Sequence, residues 1–269
     1  MTNNSNERPV ALTIAGSDSG GGAGIQADLK TFAACGIFGT SVLTLITAQN
    51  TQSVDEIDVL SGEIVQRQFN SVIGDLKPVA AKTGALGTAP MIETVSTMLE
   101  KRPIARLVVD PVMISKHGHP LMAEEAFGAV RAKMLPHALV ATPNRFEASA
   151  LAEQRNVESV PSMKEAARRI FDCGAKNVVV KGGHFDKIVR DIFYDGTGFV
   201  EFGADRVHSE RVHGSGCTYS AAIAAALAKG ESVVDSLGFA RQFISQAIAE
   251  APKIGGGISP VNPMWKAWS

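Results

Sequence analysis

The stretch Val212-His213-Gly214-Ser215-Gly216-Cys217-Thr218 leaves a chain very few ways to fold, because it runs directly into the alanine-rich segment Tyr219 to Ala228. Two glycines one residue apart turn the backbone without a Cβ penalty, and alanine is the best helix former, so the pattern predicts a loop that opens a helix. The first amides of such a helix lack intrahelical partners and sit at the positive end of its dipole, where an anion such as phosphate is favoured. The same position favours the thiolate of Cys217. A plain reading stays open beside this one: a tight connection in which Ser215 or Thr218 caps the helix and Cys217 is a small buried residue.

The rest of the chain frames that loop. With 269 residues, 45% of them hydrophobic and 20% charged, and a net charge of −1, it is expected to be one globular domain over residues 1–269. That balance gives no argument for a nucleic-acid or membrane-surface partner. The start, Met1 to Pro9, is polar and lacks the apolar segment of a signal peptide, and no apolar run reaches membrane-spanning length. Cys35, Cys173 and Cys217 are odd in number and without metal-ligand spacing, which suits reduced thiols in the cytoplasm.

Val10 to Ala15 reads as a buried strand, followed by Gly16-Ser17-Asp18-Ser19-Gly20-Gly21-Gly22-Ala23-Gly24 and then a helical pattern from Ile25 to Ala34. Strand, glycine loop and helix form the frame of a ligand-binding βα turn. A Walker A loop is excluded because Ile25-Gln26 stands where a Lys-Ser/Thr pair is required. A dinucleotide loop is disfavoured by the glycine spacing and by the lack of an acid between Phe38 and Asn50. A substrate-covering loop or a flexible turn remains.

The alternation continues through strands at Gly39 to Ala48, Val79 to Lys82, Ala105 to Asp110, Ala138 to Ala141 and Asn177 to Val180. Helices are expected at Gly62 to Ile73, Met91 to Lys101, Glu124 to Met134, from Asn144, at Lys164 to Cys173 and at Val233 to Ala251. Ile188 to Tyr194 and Gly198 to Phe202 predict a β-hairpin at the sheet edge. Gln49 ends the second strand, where it could read a small ring or serve as a turn residue. Asp110, Asn144 and Glu147 supply oxygen ligands suited to hydrated Mg2+, or else Asn144 and Glu147 form a capping box and Asp110 ends a strand. Lys181, at a strand end beside Gly182 and Gly183, is placed to neutralise a transferred phosphoryl group or is simply solvated.

Six motifs in order carry a resemblance over nearly the whole chain: residues 15–31, Thr47 to Thr51, Asp110 to Met113, Thr142-Pro143-Asn144, Lys181-Gly182-Gly183-His184 and His213 to Thr218. Together they resemble the hydroxymethylpyrimidine/phosphomethylpyrimidine kinases of thiamin biosynthesis. The resemblance implies a three-layer α/β/α ribokinase-like fold, with a mostly parallel central sheet and helices on both faces. It implies a homodimer that uses ATP and Mg2+ to phosphorylate 4-amino-5-hydroxymethyl-2-methylpyrimidine and then its monophosphate. Gly214, Ser215, Gly216 and Cys217 would form the anion hole over the moving phosphoryl group. Cys217 would act as base or orient the hydroxyl, Lys181 would balance phosphate charge, and Asp110 and Glu147 would hold Mg2+ and its waters. Asn144, with Lys181, Gly214 and Gly216, would face the nucleotide. Gln49 would read the pyrimidine's amine and ring nitrogen, with Gly16, Asp18, Gly22, Ala23 and Val112 lining the same pocket.

The chain departs from that pattern at Ala85, where the family commonly has methionine, and at Arg211-Val212, which stand for Asn-Thr before the histidine. A pyridoxal kinase on the same frame is the nearest alternative. A non-catalytic nucleotide sensor would need the lysine, cysteine or anion loop to be disabled, and all three are present. The missing ribose acid disfavours a nicotinamide-dependent enzyme.

Overall fold

The computed structural model describes residues 8–113, 122–182, 188–207 and 209–267. The polar start Met1 to Glu7 and the Gly183-His184 half of the lysine motif lie outside these residues. Short apolar runs bounded by glycine and proline form the strands: β1 (Val10–Asp18), β2 (Phe38–Gln49), β3 (Val54–Val59), β4 (Ala80–Thr83), β5 (Leu107–Val109), β6 (Val140–Ala141), β7 (Val178–Val180), β8 (Ile188–Tyr194) and β9 (Phe199–Asp205). They make one sheet in the order β3-β2-β1-β4-β5-β6-β7-β8-β9. Six strands, β2-β1-β4-β5-β6-β7, run parallel, and β3, β8 and β9 add antiparallel edges.

Helices cover both faces, as a parallel sheet requires. On one side α2 (Gly62–Asp75), α3 (Ala89–Lys101), α5 (Arg145–Leu151) and α6 (Val160–Asp172) pack Val65, Phe69, Ile92, Leu151 and Ile170 onto Leu12, Ile14 and Val109. On the other, α1 (Gly24–Ala34), α7 (Ser215–Ala228) and α8 (Val233–Ala249) bring Phe32, Ile223, Leu237 and Ile244 against Ala11, Val108 and Val179. Side chains alternate across β1, so Ala11 and Leu12 belong to different layers. The α/β/α expectation is therefore met.

Three elements differ from the sequence reading. The expected helix over Glu124 to Met134 is broken into 3-10, α, π and 3-10 pieces, with α4 (Phe127–Ala129) as its one α-turn. Gly128 weakens it as a helix former, and Pro136 lies in the closing 3-10 turn. Strand β3 escapes the sequence reading because five of its six residues are exposed, so no buried face leaves an apolar stripe. Finally, β1 continues to Asp18, taking in Gly16 and Ser17 that read as loop.

α7 is buried along its length from Thr218 to Ala228, which explains its small side chains: it runs between α1, α8 and the sheet. Beneath its start lies a charge pair that the apolar pattern hides. Lys82 on β4 and Asp28 on α1 are both fully buried and joined at 2.8 and 2.9 Å, and Thr13 donates to the same carboxylate at 2.6 Å. Removing one partner of such a pair strands a charge in the core. Lys82→Met is expected to lower unfolding stability by about 3–5 kcal/mol, whereas Lys82→Met with Asp28→Leu recovers most of the loss; urea denaturation of the two variants checks this.

Candidate active site

Strand ends, two glycine loops and one helix start meet above the carboxyl edge of the sheet, where open α/β sheets bind ligands. Gly214 caps α7 with φ +73°, a left-handed conformation that glycine adopts freely, and a Cβ there would lie 1.8 Å from the carbonyl of Gly22. Ser215 donates its amide to Val212 at 3.2 Å, and Thr218 donates to Gly214 at 2.9 Å. By helix geometry the amides of Gly216 and Cys217 are those left to face outward.

Lys181 and Asp110 converge on that opening. A Cβ at Gly216 would lie 3.5 Å from Lys181 Nζ and 3.9 Å from Asp110 Oδ2, in ordinary contact with both, so the two charged groups stand directly over this backbone. Lys181 follows β7, with its own amide bonded to Pro143 at 2.8 Å, and the next amide, of Gly182, donates to buried Asp191 at 2.6 Å. The ammonium pairs with Asp110 Oδ1 at 2.7 Å, while Thr142 and Ser220 donate to the same carboxylate at 3.1 and 3.0 Å. Burial works against the charge on Lys181, but Asp110 and Glu147 outweigh it and hold its pKa above the ordinary lysine value.

Asn144 and Glu147 do form the capping box at the head of α5: Asn144 Oδ1 accepts from the amides of Phe146 and Glu147, and Glu147 Oε2 accepts from the amide of Asn144 at 2.8 Å. The box does not exhaust Glu147. Its carboxyl is buried, and that burial, reinforced by the charge of Asp110, pushes its pKa up to about 8 against the pull of Lys181. Val112 donates its amide to the carbonyl of Asp110 at 2.9 Å and lines a small pocket with Thr83, Gly84 and Asp110.

The first glycine loop is an ordered hook. Asp18, 3% exposed, accepts from the amides of Gly20, Gly22 and Ala23 at 2.8, 3.1 and 2.8 Å, and from across the site His213 Nε2 reaches it at 2.8 Å. Burial opposes ionisation of Asp18, but the His213 hydrogen bond and the amides of Ala23 and Gly20 hold its pKa below the usual carboxylate range. Gly24 at φ +56° returns the chain against the carbonyl of Gly16. Gln49 closes β2 beside this hook, its side chain within reach of Thr47 Oγ1 at 3.3 Å and His213 Nε2 at 3.4 Å. The glycine-rich segment near 255–261 straps the far side: His213 donates its amide to Ser259 and accepts from Val261 at 3.2 and 3.1 Å, and Ile258 donates to Thr51 at 2.8 Å.

The expected thiolate at Cys217 is a correction. Surrounding protein raises its pKa to about 11, an effect larger than the pull of Lys82, and the charges of Asp28 and Asp110 push the same way. The helix-end argument omitted two buried carboxylates nearby. Sequence reasoning also missed Lys82 and the pairing of His213 with Asp18; a lysine inside an otherwise apolar strand was the available sign of the first.

A family model described as phosphomethylpyrimidine kinase matches residues 18–262. The Bacillus subtilis hydroxymethylpyrimidine/phosphomethylpyrimidine kinase is 40% identical over 254 residues, covering 94% of this chain and 93% of the relative. Among solved structures, a pyridoxal kinase from Bacillus subtilis in an ADP complex superposes with a TM-score of 0.91 at 34% identity, covering 98% of this chain and 100% of that one. The phosphomethylpyrimidine kinase from Clostridium difficile 630 gives 0.81 at 38% identity, covering 90% and 100%.

Because the thiol of Cys217 titrates near 11, its alkylation by iodoacetamide in the ligand-free protein should rise about tenfold per pH unit from 7 to 9. Mass spectrometry of the modified peptide reads this, and a rate that levels off by pH 8 contradicts it.

Proposed function

The chain belongs to the phosphomethylpyrimidine kinase family, and from that premise we propose that it transfers the γ-phosphoryl group of ATP to 4-amino-5-hydroxymethyl-2-methylpyrimidine and then to the monophosphate so formed, in thiamin biosynthesis. The observation that carries this reading is the convergence of the Lys181 ammonium on the bare backbone of Gly216 at the start of α7. A site of this kind does what phosphoryl transfer asks of a protein, which is positioning and charge stabilisation.

In this reading the amides of Gly216 and Cys217 and the ammonium of Lys181 grip the migrating phosphoryl group. Asp110 aims Lys181 and is itself fixed by Thr142 and Ser220. The acceptor oxygen forms its bond to phosphorus as the bond to the bridging oxygen of ADP breaks, and because the transition state is loose the acceptor proton leaves late, passing to an oxygen of the transferred phosphoryl group. Cys217, neutral at pH 7 in the ligand-free protein, orients the hydroxyl. Gln49 reads the ring, and Gly16, Gly22, Ala23 and Val112 wall the pocket, with the Asp18 carboxylate organising the loop.

Mg2+ suits the remaining donors. Asp110 and Glu147 are buried carboxyl groups, and the charge of Asp110 opposes the ionisation of Glu147, a repulsion that a hydrated dication would relieve. The ion would be held by these two residues through its waters and would neutralise phosphate charge. The whole is proposed as a single kinase domain over residues 1–269, cytoplasmic and homodimeric; exposed Val54 and Ile57 on the edge strand β3 offer an apolar contact for a second copy. Among the described residues no helix is long and apolar enough to cross a membrane.

With ATP and Mg2+ in excess, kcat/KM for the hydroxymethylpyrimidine is expected to exceed that for pyridoxal by at least about tenfold; the reverse preference, which the likeness to pyridoxal kinases makes the natural comparison, overturns the reading. Lys181→Ala should lower kcat about 100-fold or more while the KM for the pyrimidine changes less than about threefold, as steady-state kinetics would register.

A further inference from the structure

Gln49, His213 and Asp18 come from three distant parts of the chain and share one contact point. His213 Nε2 lies 2.8 Å from Asp18 Oδ2 and 3.4 Å from the end of the Gln49 side chain. An ionised carboxylate at 2.8 Å demands a donor, so Nε2 carries a proton whether the ring is neutral or charged. That one proton goes to Asp18, and the longer 3.4 Å contact with Gln49 then sets the positive end of the N–H dipole against the amide, which favours its oxygen there and opposes its NH2. The two ends of a carboxamide have the same outline, and hydrogen-bond partners decide which is oxygen.

The other end of the amide gives the same answer. Thr47 has one hydroxyl proton and spends it on the carbonyl of Ser17 at 3.0 Å, so towards Gln49, 3.3 Å away, it can only accept. The NH2 of Gln49 therefore faces Thr47 and its oxygen faces His213. Neither partner is free to relax. Asp18 is fixed by three loop amides, and a Cβ at Gly22 would come within 2.5 Å of the imidazole Cδ2, so the ring packs closely against the loop at Gly22.

We propose that Asp18 and His213 act as positioning residues that lock the polarity of the Gln49 amide, so that the site accepts a ring carrying an exocyclic donor beside a ring-nitrogen acceptor and rejects the reversed pattern. This rests on the pyrimidine-kinase reading. The amide oxygen keeps one lone pair for an amine, and its nitrogen keeps one hydrogen for the adjacent ring nitrogen. A 4-oxo pyrimidine, with a carbonyl beside a ring N–H, meets oxygen with oxygen and hydrogen with hydrogen.

The test compares kcat/KM for the 4-amino substrate and its 4-oxo analogue in the wild type, His213→Ala and His213→Gln. Without the imidazole the amide can turn over, so the amino-to-oxo preference should fall about tenfold or more in His213→Ala. It should return in large part in His213→Gln, whose side-chain N–H can replace Nε2–H. A loss of fold or of loop order alone would lower both rates and leave their ratio unchanged, and an unchanged ratio with an active wild type overturns the lock while sparing the kinase reading. A wild type that phosphorylates neither pyrimidine overturns both. A second measurement does not depend on any variant: long-range 15N–1H NMR of His213 in the wild type should show Nε2 protonated, and a bare Nε2 refutes the proposal.

Discussion

Two glycine loops from opposite ends of the chain touch backbone to backbone, and the site exists because nothing stands between them. The carbonyl of Gly22 fills the space that a Cβ on Gly214 would occupy, and His213 lies against Gly22 with no side chain to keep it off. Close approach is what lets Asp18 reach His213, and what turns the start of α7 towards the strand ends that carry Asp110, Lys181 and Gln49. A substituent at either glycine would push the two loops apart.

Charge is arranged in two tiers around this contact. The deeper tier, Lys82 with Asp28 and Thr13, is sealed from water and neutral in sum. The upper tier, Lys181 with Asp110 and Glu147, carries one more carboxyl than it has cations, and burial above all, with the charge of Asp110 behind it, raises the Glu147 pKa. At neutral pH a carboxyl with its pKa raised to about 8 is mostly protonated, so the tier is close to neutral, and a cation arriving beside it would favour the ionised form of Glu147. Cys217 lies between the tiers, and burial above all, with the carboxylates of Asp28 and Asp110, opposes its ionisation against the pull of Lys82.

Much of this was readable in the chain. The βα alternation, the closing hairpin and the loop before α7 leave strong local marks, because glycine, alanine and β-branched residues each restrict the backbone in their own way. The capping box at Asn144 and Glu147 was one of two readings, and the structure shows that the geometry of one does not exclude the buried, perturbed carboxyl needed for the other. What stayed hidden was of two kinds. Strand β3 buries almost nothing, so it has no periodicity to find. The pairs Asp28 with Lys82 and Asp18 with His213 span 54 and 195 positions, and a single sequence carries no sign of which distant residues will meet.

The strap that holds His213 has a consequence for how the protein is made. Ser259 and Val261 fix the backbone of that histidine from both sides, and Ile258 ties the same segment to the turn after β2. During translation the amino-terminal hook emerges first and waits for nearly the whole message to be read before its counterpart appears. A nascent chain therefore holds an unfinished pocket until the region around position 260 clears the ribosome.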